Sequence, residues 1–104
     1  MEQIDINADL GEGIGNETNL MPLLSSCNIA CGGHAGNNDS MELCVKLAKH
    51  HKVKIGAHPS FPDKENFGRQ IVNMPCAALY QTIKNQIKSL MKVVREQHAA
   101  LHHV

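Results

Sequence analysis

Two histidines of this 104-residue chain follow short apolar segments and stand in turns rich in Gly or Pro. His34 comes after Cys27–Cys31 and a pair of glycines, whereas His58 directly follows Val53–Ala57. Imidazole titrates near neutral pH and binds divalent metals, so such a pair could serve acid–base chemistry or ligate a metal ion. The alternative is that each ring only closes its own turn by hydrogen bonding to backbone. Because the two positions match, we favour the functional interpretation.

Two carboxylates, Asp9 and Glu12, follow the first apolar segment, Ile4–Ala8, where a glycine-rich turn begins. Paired carboxylates can divide base and electrostatic roles when their surroundings separate their pKa values. In the alternative interpretation, the aspartate caps a turn and the glutamate lies in solvent. We predict both as catalytic residues together with the two histidines. Asp9, His34 and His58 are the predicted ligands of a divalent metal.

Three further polar residues could complete the site. Asn7 and Asn28 fall inside predicted strands, where amide side chains are uncommon. A buried amide normally has hydrogen-bond partners, so we expect these two to hold the site or to contact a substrate amide. Arg69 could grip a substrate carboxylate through its planar guanidinium, although an ordinary surface salt bridge is the alternative.

The elements that position these residues follow from apolar periodicity and turn residues. Three short strands are predicted over Ile4–Ala8, Cys27–Cys31 and Val53–Ala57. A helix should begin at Asp39, with Glu42 as its capping-box partner. A second helix should run from about Pro75 to about Gln97. Its packing face is an apolar stripe made of Leu79, Ile83, Ile87, Leu90, Met91 and Val94.

Strands and helices in this order are typical of an α/β protein with a largely parallel sheet. Ligands bind such sheets beyond the carboxyl ends of the strands. Because Asp9, Glu12, His34 and His58 all follow predicted strands, we expect them to meet at that edge. The remaining histidines lie on or after helices, and we predict that they face solvent or element junctions. They are His50, His51, His98, His102 and His103.

Composition argues against several classes of function. Lys and Arg together number 10, as do Asp and Glu, and this balance is unlike that of proteins that bind nucleic acid or a membrane surface. No apolar run approaches the roughly 20 residues that span a bilayer. The acidic N-terminal segment is unlike a signal peptide, so we expect a cytoplasmic protein with free thiols. The cysteine spacing matches no zinc motif, and the chain has no dinucleotide-binding, P-loop or nucleophile-elbow motif.

The same residues carry a resemblance to a known family. Its blocks are Ile6–Gly13, Asn28–Gly36, Ile55–Asp63 and Asn66–Arg69. In order and spacing they resemble the LamB/YcsF family, which comprises the A component of the bacterial 5-oxoprolinase. The resemblance extends over the whole chain but over less than half of a family member.

The resemblance implies a deformed (β/α) barrel of the glycoside hydrolase/deacetylase-like type. Such barrels need roughly 200 residues or more to close. We therefore expect residues 1–104 to form one incomplete domain, the N-terminal three or four βα units, either truncated or naturally short. The family's next block, Lys-Pro-His-Gly, would follow Val104. Because that block of the site is missing, we expect the isolated chain to be inactive. An open half-barrel also exposes a strand edge and an apolar face, so we expect the chain to associate with itself.

The resemblance also implies an activity, the ATP-dependent conversion of 5-oxo-L-proline to L-glutamate together with B and C subunits. In this interpretation Asp9 or Glu12 orients the attacking water, and His34 and His58 hold developing charge or a metal ion. Arg69 would grip the substrate carboxylate.

Two departures from the family pattern and two alternative functions accompany this hypothesis. Family members usually have Asp where Asn37 stands and a small residue other than Cys where Cys27 stands, and the missing carboxylate argues against a metal beside His34.

One alternative is a metal-dependent, deacetylase-like hydrolase acting on an amide. The other is an inactive fragment or interaction module.

Overall fold

The computed structural model describes residues 3–104, which form one sheet of four parallel strands with three α-helices. The elements are β1 (Asn7–Leu10), α1 (Glu17–Leu20), β2 (Ser26–Ala30), α2 (Asn38–His50), β3 (Lys54–His58), α3 (Cys76–Glu96) and β4 (Leu101–His103), with a 3-10 turn over Met21–Leu23. The strands neighbour one another in the order β1-β2-β3-β4. Strand order that follows chain order is typical of successive βα units in a barrel. The predicted α/β class is therefore confirmed.

The first strand begins later than its apolar residues predict. Ile4 and Ile6 are 82% and 50% exposed, and β1 starts only at Asn7, where its register with Ser26 of β2 begins. The prediction of a strand over Ile4–Ala8 is therefore wrong in its bounds. The pairing of β1 with β2 begins at Asn7 and continues through Leu10. Asp9 consequently lies inside β1 rather than after it.

The N-terminus of α2 also differs from the prediction. Asn37, not Asp39, is the N-cap, and its side chain accepts a hydrogen bond from the backbone N–H of Ser40 at 2.9 Å. Ser40 Oγ in turn accepts from the backbone N–H of Asn37 at 2.8 Å. Asn caps helices as well as Asp does, and the extended backbone at residue 37 suits the capping position. The capping box therefore lies two residues before the predicted one.

The long helix α3 begins and ends within a residue of its predicted bounds. Leu90 and Val94 of its predicted stripe are buried in the core, as is Val93 beside them. The stripe as a whole is not buried, because Leu79 and Ile83 line an open apolar groove on this helix. No helix in residues 3–104, α3 included, is long and apolar enough to cross a lipid bilayer.

The two faces of the sheet differ in polarity. One face carries the apolar core, with Leu10, Ile29 and Ile55 against α2 and α3. Because side chains alternate along a strand, Asp9 and Asn28 lie on the opposite face. We call this opposite side the polar face, and it extends to the carboxyl edge of the sheet.

None of the four cysteines, all of them within the described range, forms a disulfide, as predicted. Cys76 is exposed, whereas the other three thiols are buried. Burial raises the pKa of Cys27 and of Cys31 to about 11 and that of Cys44 to about 12. Because the thiolate is the reactive form, these three thiols should be inert at neutral pH.

We therefore expect one thiol per native chain to react rapidly with a chromogenic disulfide reagent, and all four to react after unfolding in urea. The assay counts the chromophore released by the native and by the unfolded protein at about pH 8. Cys76→Ser should abolish the rapid reaction. A second rapidly reacting thiol in the native protein would contradict the burial of the other three.

Candidate active site at the carboxyl edge of the sheet

Five predicted site residues lie together at the carboxyl edge of the sheet. Asp9, Glu12, His34, His58 and Arg69 line one cavity of about 340 Å³. They come from the ends of β1, β2 and β3 and from the turns that follow. The cavity therefore lies at the carboxyl ends of the strands, where parallel sheets bind their ligands.

The turn after β1 brings Glu12 back over the sheet edge. Gly11 has a φ of +74°, a conformation that side chains rarely adopt, and a Cβ there would lie 3.4 Å from Cys44 Sγ. Glu12 Oε2 lies 2.6 Å from His34 Nε2. The side chains of this pair are 12% and 3% exposed, so their contact is shielded from water.

Hydrogen-bond directions locate one proton of His34. Ser60 Oγ lies 2.9 Å from the carbonyl oxygen of Phe61, which can only accept, so the hydroxyl donates there. Ser60 Oγ also lies 3.0 Å from His34 Nδ1 and must therefore accept from an Nδ1–H. The contact of 2.6 Å on the other side of the ring requires a second proton between His34 Nε2 and Glu12 Oε2. His34 and Glu12 thus share one proton at the edge of the cavity.

His58 presents an unpaired nitrogen to the same cavity. Its Nδ1 is buried and has no hydrogen-bond partner within residues 3–104. It lies 3.6 Å from Asp9 Oδ1 and 3.9 Å from Glu12 Oε2, and its ring centroid is 4.6 Å from that of His34. Buried polar atoms are nearly always paired, so an unpaired one between two carboxylates is available for a proton, a water or a ligand.

One group of donor atoms in the cavity could hold a metal ion. Glu12, His34 and His58 each offer one ligand atom, and these atoms lie within 4.8 Å of one another. Two imidazoles and a carboxylate suit Zn²⁺ and related divalent ions. The sequence predicted Asp9 in place of Glu12. In the structure Asp9 is held on the polar face, while the turn after β1 carries Glu12 to the histidines.

The predicted amides lie outside this cavity, on the polar face. Asn28 Nδ2 donates to Asn7 Oδ1 at 2.7 Å and to Asp9 Oδ1 at 2.9 Å. Asn28 Oδ1 accepts from His103 Nε2 at 2.7 Å. Asn28 therefore orients Asp9 directly, and Asn7 acts on Asp9 only through Asn28.

His103 is a residue of this network that the sequence did not indicate. Its position after a helix predicted a place in solvent or at a junction, yet it is half-buried on the polar face. A Cβ on Gly56 of β3 would overlap its imidazole, so the ring occupies space that this glycine leaves free. A glycine inside a predicted strand was the available signal, since such glycines mark close approaches.

The loop of residues 61–69 closes one side of the cavity. The rings of Phe67 and His34 form a T-shaped pair, with centroids 5.0 Å apart and an interplanar angle of 83°. Arg69 is exposed, and it forms no ion pair with any carboxylate of residues 3–104. Its guanidinium is therefore free to attract an anionic group to the cavity.

Comparisons with known proteins agree with this arrangement. The profile of the LamB/YcsF family matches residues 4–104. A solved structure described as a lactam utilization protein from Thermus thermophilus is 38% identical, with a TM-score of 0.92. The match covers 99% of this chain and 44% of that one. The present chain thus spans less than half the length of this structural relative.

Proposed function

Because this chain belongs to the LamB/YcsF family, we propose that it forms part of an enzyme that opens a lactam ring. Specifically, it would act as the A component of an ATP-dependent 5-oxoprolinase with B and C subunits, converting 5-oxo-L-proline to L-glutamate. The likeness to a lactam utilization protein supports the substrate class. The acid–base groups of the cavity support a hydrolytic reaction.

The observation that carries the proposal is that one cavity contains two different kinds of acid–base group. His34 and Glu12 share a proton across 2.6 Å, while His58 Nδ1 has no partner within the described residues. Lactam hydrolysis needs both kinds of group. A base must take a proton from the attacking water, and an acid must supply one to the departing nitrogen.

These groups allow each residue a role in the reaction. Transfer of a phosphoryl group from ATP to the lactam oxygen would supply a leaving group, since a lactam is a poor electrophile. His58 would then take a proton from a water held by Asp9, and that water would attack the former carbonyl carbon. The His34–Glu12 pair would protonate the ring nitrogen as its bond to carbon breaks. The product of that step would be an acyl phosphate, and its hydrolysis by a second water would release inorganic phosphate and L-glutamate.

Substrate orientation would come from Arg69. 5-Oxoproline carries one carboxylate, and a guanidinium can hold a carboxylate through two parallel hydrogen bonds. Because Arg69 lines the cavity without an internal ion pair among the described residues, it can make this contact without first losing another.

The test is reconstitution. The protein is mixed with the B and C subunits, ATP and 5-oxoproline, and glutamate and ADP are measured together. We expect glutamate to appear only when ATP and all three components are present. Glutamate formation without ATP would contradict ATP-dependent ring opening, and no glutamate under any condition would contradict the proposed activity.

A second candidate, metal-dependent amide hydrolysis, is favoured by the donor group of Glu12, His34 and His58. We expect the chelator-treated protein to bind about one Zn²⁺ per chain, as a three-ligand site would. Glu12→Gln and His58→Ala should each weaken binding by at least about tenfold, because each removes a ligand. Calorimetric titration with Zn²⁺ measures both quantities.

Asp39→Asn serves as the matched control, because it removes an exposed carboxylate in the first turn of α2, outside the cavity. Equal Zn²⁺ affinity in Glu12→Gln and in the unchanged protein would contradict the metal site. Activity that survives complete chelation would exclude the metal-dependent reaction and leave the ATP-dependent one.

A further inference from the structure

Phe67 gives the candidate site one apolar wall. Among the described residues that line the cavity, it is the only one with an apolar side chain. Part of its ring packs against the ring of His34, with 5.0 Å between the two centroids. The residue nevertheless remains 39% exposed. A cavity lined otherwise by polar side chains and a glycine therefore presents one aromatic surface to a ligand.

The backbone at Phe67 has a conformation that disfavours a side chain of this size. Its φ is +57°, and the φ of the next residue, Gly68, is +72°. A bulky residue in the left-handed region is a true outlier, and such outliers persist where the surrounding structure holds them, often at ligand sites. Glycine or asparagine would adopt this backbone more easily. The aromatic ring at this position thus needs a reason other than local conformation.

The loop of residues 61–69, which carries this ring, begins at a fixed point on α3. The buried side chain of Gln86 accepts from the N–H of Ser60 at 3.0 Å and donates to its carbonyl at 2.7 Å. Gly33 leaves the space that this amide occupies, since a Cβ there would lie 2.8 Å from Gln86 Cδ. Two opposed hydrogen bonds from one amide therefore hold the backbone just before the loop.

The loop is also held at the end next to the ring. The Asp63 N–H donates to the carbonyl of Gly33 at 3.0 Å, and the Gly68 N–H donates to the carbonyl of Asp63 at 2.8 Å. Gly68 lies so close to the site that a Cβ there would be 3.0 Å from His34 Cβ. These contacts keep Phe67 against the cavity, so its ring needs no ordering when a ligand binds.

An aromatic wall beside a guanidinium matches a particular kind of ligand. Arg69 lies two residues after Phe67 and lines the same cavity, where it can hold a carboxylate. The aromatic surface suits methylene groups, each of which raises affinity about fourfold when it is fully removed from water. A small aliphatic ring that carries a carboxylate presents both kinds of group at once.

We propose that Phe67 is a specificity-determining residue, against whose ring the methylene groups of a small carboxylate-bearing ring pack while Arg69 holds the carboxylate. That this ligand is a lactam rests on the proposed function, in which 5-oxoproline would place its two ring methylenes on Phe67. The wall itself does not depend on lactam hydrolysis. A ligand without a lactam group can therefore test it.

The experiment compares two carboxylates that differ in the aliphatic ring. Cyclopentanecarboxylate has the ring without a lactam, and acetate has no ring. Each is titrated at equal ionic strength into the isotope-labelled protein, and the amide NMR signals of residues 66–69 report binding. We expect Phe67→Ala to weaken the binding of cyclopentanecarboxylate by about fivefold to fifteenfold, the effect of exposing one to two methylene groups. The affinity for acetate should change less than about twofold, because acetate has no methylene group to lose from the wall.

A second variant and a matched control accompany Phe67→Ala. Phe67→Asn should cause the same loss, because asparagine tolerates the left-handed backbone but replaces the ring with an amide. If Phe67→Ala does not fold, Phe67→Asn decides. Phe61→Ala is the control, since Phe61 is 40% exposed on the same loop but does not line the cavity. It should change neither affinity.

Equal affinities for cyclopentanecarboxylate in the Phe67 variants and in Phe61→Ala would overturn the proposal. An equal loss of affinity for both carboxylates would also overturn it, because the ring would then only support the loop.

The reconstituted complex tests the lactam itself. Phe67→Ala should raise the KM for 5-oxoproline by a similar factor with little change in kcat, as expected when binding is lost equally before and during the reaction. An unchanged KM in a complex that forms glutamate would overturn the contact between the lactam methylenes and Phe67. Absence of glutamate from the unchanged complex would contradict the proposed function and leave the result with cyclopentanecarboxylate in place.

Discussion

His58→Ala is expected to lower glutamate formation by the reconstituted three-component complex about 100- to 10,000-fold, the usual contribution of a general base. The reason is geometric. His58 Nδ1 is the one buried ring nitrogen of the cavity that has no partner among the described residues, and it lies 3.6 Å from Asp9 Oδ1. His34, the other imidazole of the cavity, cannot replace it, because both of its ring nitrogens already contact Ser60 and Glu12. The initial rate of glutamate release at saturating ATP measures the effect.

The matched control for this variant is His50→Ala. His50 lies exposed in the last turn of α2, away from the cavity, so its loss should leave the rate unchanged. Turnover in His58→Ala equal to that of the control would exclude His58 as the base. A similar KM with a lower kcat would place the defect in the chemical step.

Glu12→Gln should affect both turnover and stability. An amide can accept a hydrogen bond from His34 Nε2 but cannot share a proton with it, so we expect a loss of at least about 100-fold in turnover. The charge-assisted hydrogen bond is replaced by a neutral one between two largely buried side chains. We expect the free energy of unfolding to fall by about 1–2 kcal/mol. Urea unfolding and the glutamate assay measure the two effects on the same preparation.

Glu42→Gln gives the corresponding control on α2. This exposed glutamate accepts a hydrogen bond from Asn38 at 2.9 Å, which a glutamine oxygen can replace, so neither stability nor turnover should change. If Glu12→Gln unfolds at the same urea concentration as this control, the shielded His34 contact is not charge-assisted. Full turnover in Glu12→Gln would remove the shared proton from the mechanism.

The sequence predicted the site better than it predicted the hydrogen bonds within it. Parallel strands bring their carboxyl ends to one edge, so Asp9, His34 and His58 could be placed together before the structure was known. That rule concerns the backbone and specifies no side-chain direction. It could not distinguish Asp9, which lies inside β1, from Glu12, which reaches the histidines because Gly11 turns the chain.

The sequence did not predict the contacts between residues that lie far apart in the chain. Ser60 and Gln86 are 26 residues apart, and His103 and Asn28 are 75 residues apart. Such contacts depend on where α3 packs against the sheet and on the pairing of β4, and apolar periodicity specifies neither. Only the glycines at positions 33 and 56 marked where these side chains would approach the backbone.

The register of β1 has a consequence for how this protein can vary in evolution. Asp9 is paired with Asn28, and Leu10 is paired with Ile29. Asp9 therefore lies on the polar face, whereas Leu10 points into the core. Because alternation along a strand has a period of two, inserting or deleting one residue within β1 would exchange these faces and lose both functions together. Length variation should therefore accumulate outside the strands and outside the turns that carry the side chains of the cavity.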